Sequence, residues 1–229
     1  MDADFSIEIG PTAPALELPW SDPSERLQYI DLRRDPHRVD DLPEARQFPT
    51  LRAFLLTMNA QVSPWQTAKC DVWSEPANSS ENLYLAEFSQ GSYVDVVLAS
   101  RSALRDSLDF HKAAARRMAS MLEEHESVAA TIEIVVRRCY FHRESEAGIV
   151  ATPNTAQSTE HEDANNAAQE AELSAADSDA GYCLTLFLTG WGRSQAEASV
   201  HWEQALELLS ECLLVPAVAE ERAFGAELG

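Results

Sequence analysis

The chain predicts an α+β fold, a mainly antiparallel sheet with its helices gathered on one face. Three features of the 229 residues carry that expectation. Four segments alternate apolar and polar residues with a period of two, which is the pattern of strands with one buried side. Segments of helical period follow the second and the fourth of them. Only one side of each strand is strongly apolar, so the helices belong together on that side. The resulting order of strand, strand, helix, strand, strand, helix suggests a ferredoxin-like ββαββα sandwich, with a permuted strand order admitted, preceded by a Pro-rich wrapping segment.

Residues 1–47 are interrupted by Pro11, Pro14, Pro19, Pro23, Pro36 and Pro43, which argues against long regular elements. Phe5, Ile7 and Ile9 alternate with polar neighbours, as do Leu16, Leu18 and Trp20, so each group reads as a brief strand or an arm lying on the domain. So many large apolar side chains are expected to pack rather than to trail in water.

Thr50 is expected to cap a helix built on Leu51, Phe54, Leu55, Met58 and Val62 and ended by Pro64. From Trp65 to Trp73, the residues Ala68, Cys70 and Val72 alternate with Lys69, Asp71 and Trp73 as the first strand. Residues 75–82 read as a turn, and Leu83 to Phe88 as a short strand or an irregular connection. After Gly91 the second strand sets Val94, Val96 and Leu98 against Tyr93, Asp95 and Val97. Ser102 opens a long helix whose stripe is Leu104, Leu108, Phe110, Ala114, Ala115, Met118, Met121 and Leu122. Ala129 to His142 is β-branched and forms the third strand, with Ile132, Ile134 and Val136 opposite Glu133, Val135 and Arg137. Tyr182 to Gly192 forms the fourth, with Leu184, Leu186 and Leu188 opposite Cys183, Thr185, Phe187, Thr189 and Trp191. Ser194-Gln195-Ala196-Glu197 is a capping box for a last helix that ends before Pro216.

The chain thereby divides into a Pro-rich segment (1–47) packing on the domain, the first half of one α+β domain (48–143), an insertion (144–180), the second half of the same domain (181–216) and a C-terminal tail (217–229). The insertion is acidic, nearly free of large apolar residues, and expected to be disordered. It carries nine carboxylates and no Lys or Arg, so without it the formal charge of −21 falls to about −12.

A surface this acidic repels phosphate backbones, so nucleic acid is not an expected partner. The first residues lack the basic and apolar regions of a signal peptide, and no apolar run reaches membrane-spanning length. Cys70, Cys139, Cys183 and Cys212 lie apart in apolar segments without a C-x-x-C pair, as expected of reduced core thiols in a cytoplasmic protein. No metal site and no cofactor are expected. The histidines, at 37, 111, 125, 142, 161 and 201, show no H-x-x-x-H or H-E-x-x-H spacing, and His111 is expected to serve in packing. Gly190-Trp191-Gly192 leads from strand to helix, where a glycine pair ordinarily makes the turn; G-x-G-x-x-G, P-loop and G-x-S-x-G motifs are all absent.

If helices cover the face of Cys70, Val72, Val94, Val96, Leu98, Ile132, Ile134, Leu184 and Leu186, the opposite face collects Lys69, Asp71, Trp73, Tyr93, Asp95, Glu133, Arg137, Phe187 and Trp191. Carboxylates beside aromatics on a rigid sheet suit a cationic ligand, a divalent metal, or a proton held at raised pKa for acid–base work. The plainer reading pairs Lys69 and Arg137 with these acids across strands and lays the N-terminal segment over the aromatics. The function expected from the absence of catalytic signatures is that of a non-enzymatic protein-binding module with a protein partner. The alternative is a small-molecule or metal-binding protein, or an enzyme, that uses the carboxylates and aromatics of this face.

Overall fold

The structure, a computed structural model, describes residues 1–22, 27–77, 84–100, 103–142 and 178–227, with Ser178 and residues 215–227 described as backbone only. It is a mixed α+β fold with a six-stranded, mostly antiparallel sheet. The strands are β1 (Asp2–Glu8), β2 (Ala15–Leu18), β3 (Trp65–Pro76), β4 (Phe88–Leu98), β5 (Ala130–His142) and β6 (Ser178–Gly192). The helices are α1 (Pro43–Gln47), α2 (Pro49–Met58), α3 (Leu108–Glu123) and α4 (Gln195–Glu227), with a 3-10 helix at Pro36–Asp41.

The sheet runs β1-β5-β6-β4-β3, with β2 also paired to β5. β3, β4, β6 and β5 are antiparallel neighbours, whereas β1 and β2 lie end to end along β5 and parallel to it, β1 against Thr131–Arg137 and β2 against Arg138–Phe141. The N-terminal segment is thus part of the sheet: the two short alternating runs each find a row of free backbone groups on the edge of β5, and Pro11 and Pro14 fall in the gap between them.

Val94, Val96, Leu98, Ile132, Ile134, Val136, Leu184, Leu186 and Leu188 point to one face, where α2, α3 and α4 cover them with Leu51, Phe54, Leu55, Phe110, Met118, Leu122, Trp202, Leu206 and Leu209. Each such aliphatic side chain, fully buried, contributes about 1.5–3 kcal/mol. Buried hydrogen bonds tie the layers: Trp202 Nε1 donates to Ser92 Oγ at 2.8 Å, Trp65 Nε1 donates to the Leu213 carbonyl at 2.8 Å, and Asn59 Nδ2 donates to Thr67 Oγ1 at 2.6 Å.

Several boundaries differ from the sequence expectation, each for a local reason. A bulge at Thr67/Lys69 inserts Ala68 as an unpaired residue, so Ala68 joins the face opposite the helices rather than sharing a side with Cys70 and Val72. α2 begins at Pro49 with Phe48 at its cap, Thr50 accepts no capping bond, and the helix stops at Met58 where Asn59 Nδ2 binds the Leu55 carbonyl, leaving Val62 92% exposed. α3 starts at Leu108, not Ser102, because Ser107 Oγ accepts from Phe110 N at 3.2 Å; Ser102 itself lies outside the described residues. β3 runs on to Pro76 and β4 begins at Phe88; the rest of the expected turn and of the Leu83 connection falls partly outside the described residues. Ser178–Ala180 belong to β6, while the expectation of disorder for residues 144–177 lies outside the described residues. α4 keeps its cap, Ser194 Oγ accepting from Glu197 N at 3.2 Å, but its helical backbone continues through Pro216 to Glu227; the proline removes one N–H without ending the helix.

Gly190 and Gly192 sit inside β6, not in a turn. A Cβ on Gly190 would collide with the Ala198 carbonyl and the Trp202 amide, and one on Gly192 with the Ala198 amide, so the pair exists to let α4 lie directly on the sheet.

Candidate functional site: the open face of the sheet

The alternation that buries the aliphatic side puts all nine residues singled out in the sequence on the opposite face, where strand pairing decides which of them meet. Lys69 stands opposite Asp95 and Asp71 opposite Tyr93 across β3 and β4; Tyr93 stands opposite Phe187 across β4 and β6; Glu133 stands opposite Phe187 across β5 and β6. They do not form one cluster. All but Asp71 divide between two concavities that share Phe187.

The first is a cavity of about 250 Å³ lined by Lys69, Tyr93, Asp95, Arg137, Thr185 and Phe187 and roofed by Pro14, Ala15 and Leu16. Arg137 Nε and Nη2 both donate to Glu8 Oε2, at 3.0 and 2.8 Å, and Arg137 Nη1 donates to Thr185 Oγ1 at 3.4 Å. Thr185 Oγ1 in turn donates to Asp95 Oδ1 at 2.5 Å. Asp95 is 8% exposed, and its burial raises its pKa above the usual carboxylate value against the opposing pull of the Thr185 bond, Arg137 and Lys69. Burial, then the charges of Asp95 and Asp71, push the Tyr93 phenol up to about 12, so it is a fixed proton donor at neutral pH. The Lys69 ammonium makes no ion pair among the described residues and lies 5.6 Å from the ring of Trp20. Arg137 therefore pairs with β1, through Glu8, and not with Asp95 or Glu133 as the cross-strand reading expected.

The second concavity, of about 480 Å³, crosses the sheet from edge to edge. Asp2 and Asp4 of β1, Thr131 and Glu133 of β5, Phe187, Thr189 and Trp191 of β6, Ser89 of β4, and Trp73 and Glu75 of β3 line it. Trp191 is buried, with its indole N–H donating to Thr131 Oγ1 at 3.2 Å, whereas Trp73 is 37% exposed. Ser6 Oγ donates to Glu133 Oε1 at 3.2 Å, yet none of Asp2, Asp4, Glu75 and Glu133 forms an ion pair among the described residues. The N-terminal segment does cover part of this face, but at its other end, where Leu16 and Leu18 close over Ala68, Val97, Cys139 and Cys183 with Trp20, Tyr29 and Phe141. The groove stays open. Asp71 stands apart from both concavities, bordering a third, apolar hollow with Trp20, Leu32 and Leu55.

Sequence reasoning missed Asp2, Asp4, Glu8, Glu75 and Thr185. Asp2, Asp4, Ser6 and Glu8 alternate with Ala3, Phe5 and Ile7, so their common side was readable; that β1 would lie beside Glu133 was not. Among the described residues no group of three or more His, Cys, Asp or Glu is placed to hold a metal ion. No helix among the described residues is long and apolar enough to cross a membrane. No protein-family model, curated protein or solved structure matches the chain.

Proposed function

We propose that the protein is a non-enzymatic binding module that takes an extended, basic peptide segment of a partner protein into the groove across its open sheet face. One observation carries this reading: carboxylates that form no ion pair among the described residues, at both ends of an aromatic-floored groove that spans five strands. Five neighbouring strands at about 4.8 Å spacing give the groove a length of about 19 Å, which an extended chain of about six residues covers. Asp2, Asp4 and Glu133 stand toward one end and Glu75 at the other, so two cations five or six residues apart meet opposite charge, while Trp73, Trp191 and Phe187 supply ring faces for the stems between. The chain's charge of −21 steers such a segment toward the surface.

The test is fluorescence anisotropy with a labelled six-residue peptide carrying lysine at both ends, measured against its glutamate counterpart at low and raised salt. Binding of the lysine peptide alone, weakened by salt and lowered roughly tenfold by the Glu75→Gln/Glu133→Gln double variant, is the expected result. Equal binding by the double variant, or none by the parent, would sink the reading.

A second reading rests on Asp95: a buried carboxyl with raised pKa, between two cations and beside a protonated phenol, suits a small polar ligand or proton transfer in the 250 Å³ cavity. Two further proposals go with the first. The β3-β4-β6-β5 order is the one a circular permutation of a β-α-β-β-α-β ferredoxin-like unit produces, with β6 lying between the parallel β4 and β5 that α3 connects. Four free thiols, three of them buried, support residence in the cytoplasm.

A further inference from the structure

At the end of the sheet away from the groove lies a concavity of about 780 Å³, between the segment that follows β2 and the last residues of β4 and β5. In a chain with 38 acidic and 17 basic residues, it gathers Arg34, Arg38, Arg105 and His142. Arg105 is the fixed member. Its side chain is 7% exposed, its guanidinium carbon lies 3.9 Å from the centre of the Phe141 ring, and its carbonyl accepts from Tyr182 N at 3.1 Å. Asp106 and Asp179 form ion pairs with it at 3.6 Å, longer than a hydrogen bond, and its buried Nε has no hydrogen-bond partner among the described residues.

A buried guanidinium N–H without an acceptor costs free energy unless something occupies the site. Arg34 is exposed and forms no ion pair among the described residues, and Arg38 meets Asp41 in a pair in which both side chains are about half exposed, a contact too weak to hold it from another partner. Of the lining acids, Asp31 uses Oδ1 to accept from the backbone N–H groups of Arg33 and Arg34, which fixes the turn that presents Arg34. Asp35 faces the same space and suits a hydroxyl donor.

We propose that this cleft binds a small phosphorylated molecule, the phosphate held by Arg105 with Arg34 and Arg38 closing on it, and hydroxyl groups of the organic part donating to Asp35. Guanidinium forks match phosphate geometry, and the volume lies within the range of small-molecule sites. The proposal is independent of the peptide groove, which shares no residue with the cleft.

The experiment is thermal unfolding of the full chain with inorganic phosphate and with adenosine monophosphate, at an ionic strength held constant with sodium chloride. The expected result is a saturable rise in Tm with both probes, with adenosine monophosphate at least as tight as phosphate. Affinity should fall at least tenfold in the Arg34→Gln/Arg38→Gln variant, whose changes lie on side chains that the fold does not bury. Glu75→Gln/Glu133→Gln should leave the affinity as in the parent. No saturable rise with adenosine monophosphate beyond sodium chloride, or an unchanged affinity in the arginine variant, overturns the proposal; loss of affinity in the groove variant overturns the assignment to this cleft.

Discussion

The indole of Trp73 occupies the space where a side chain on Gly91 would stand: a Cβ built on Gly91 collides with Nε1, Cε2 and Cζ2 of the ring. Trp73 and Gly91 are paired across β3 and β4, so the ring lies over its neighbour strand, and the open groove owes its aromatic floor on this side to the missing side chain. Gly91→Ala is therefore expected to lift the ring from the sheet. Stability should fall by about 1 kcal/mol or less, because the displaced group is a half-exposed side chain. Affinity for the basic peptide should fall roughly tenfold. Urea titration and anisotropy on the same preparation separate the two effects.

Asp95 gives a pH signature. Its folded pKa lies above the 3.8 of the unfolded chain, chiefly because burial penalises its charge, so between 3.8 and the folded pKa the folded state holds a proton that the unfolded state has lost. Its contribution to stability thus falls as pH rises through that window. Asp95→Asn can still accept the Thr185 hydrogen bond and carries no charge. The stability of the variant relative to the parent should rise with pH through the window and then level off, measured by chemical denaturation at a series of pH values. A flat difference would mean that Lys69 and Arg137 fully offset the burial.

His111 predicts the opposite slope. Its Nδ1 bonds the Ser107 carbonyl at 2.8 Å and therefore carries the proton, while buried Nε2 has no partner, amid the rings of Trp65, Phe110 and Tyr182. Burial lowers its pKa below 6.5, so the stabilisation is complete above 6.5 and is lost as pH falls from there through the folded pKa. His111→Phe should cost about 1 kcal/mol at neutral pH for the lost hydrogen bond and should abolish this acid-side loss. Denaturant midpoints of the two proteins across that range decide it.

Gly190→Ala is expected to be among the most damaging single methyl additions in the chain. The new Cβ meets backbone atoms of α4, which cannot rotate away, so helix and sheet must separate; the cost is about 3 kcal/mol, the upper end for overpacking. Gly10→Ala, with nothing within reach of its Cβ, serves as the neutral control in the same denaturation series.

Strands β3 to β6 and the helix-covered face were legible, above all because alternation in β4, β5 and β6 is regular: Val94 with Val96, Ile132 with Ile134, and Leu184 with Leu186 announce one side each. Alternation stopped being reliable at Ala68, where the bulge adds one residue and flips the register on one side of it. Helix ends were less legible than helix stripes. Leu104 suits the stripe of α3 and packs on the core, yet the Ser107 cap places it outside the helix.

The candidate groove shows the same division. Sequence placed Trp73, Glu133, Phe187 and Trp191 on one face, but not beside one another, because a period of two records the side of a strand and carries nothing about its neighbours. Neighbourhood depends on strand order and register, which are set by long-range pairing: β5 beside β6 brings Glu133 to Phe187, and parallel β1 beside β5 brings Asp2 and Asp4 to the groove. The sequence alone determined the class of fold, the core side of its strands and the acidity of its surface, since these follow from local period and composition. Tertiary structure alone decided that the residues of the open face divide between separate concavities rather than forming one cluster, and that Arg105 is buried beside Phe141, because both depend on contacts between residues far apart in the chain.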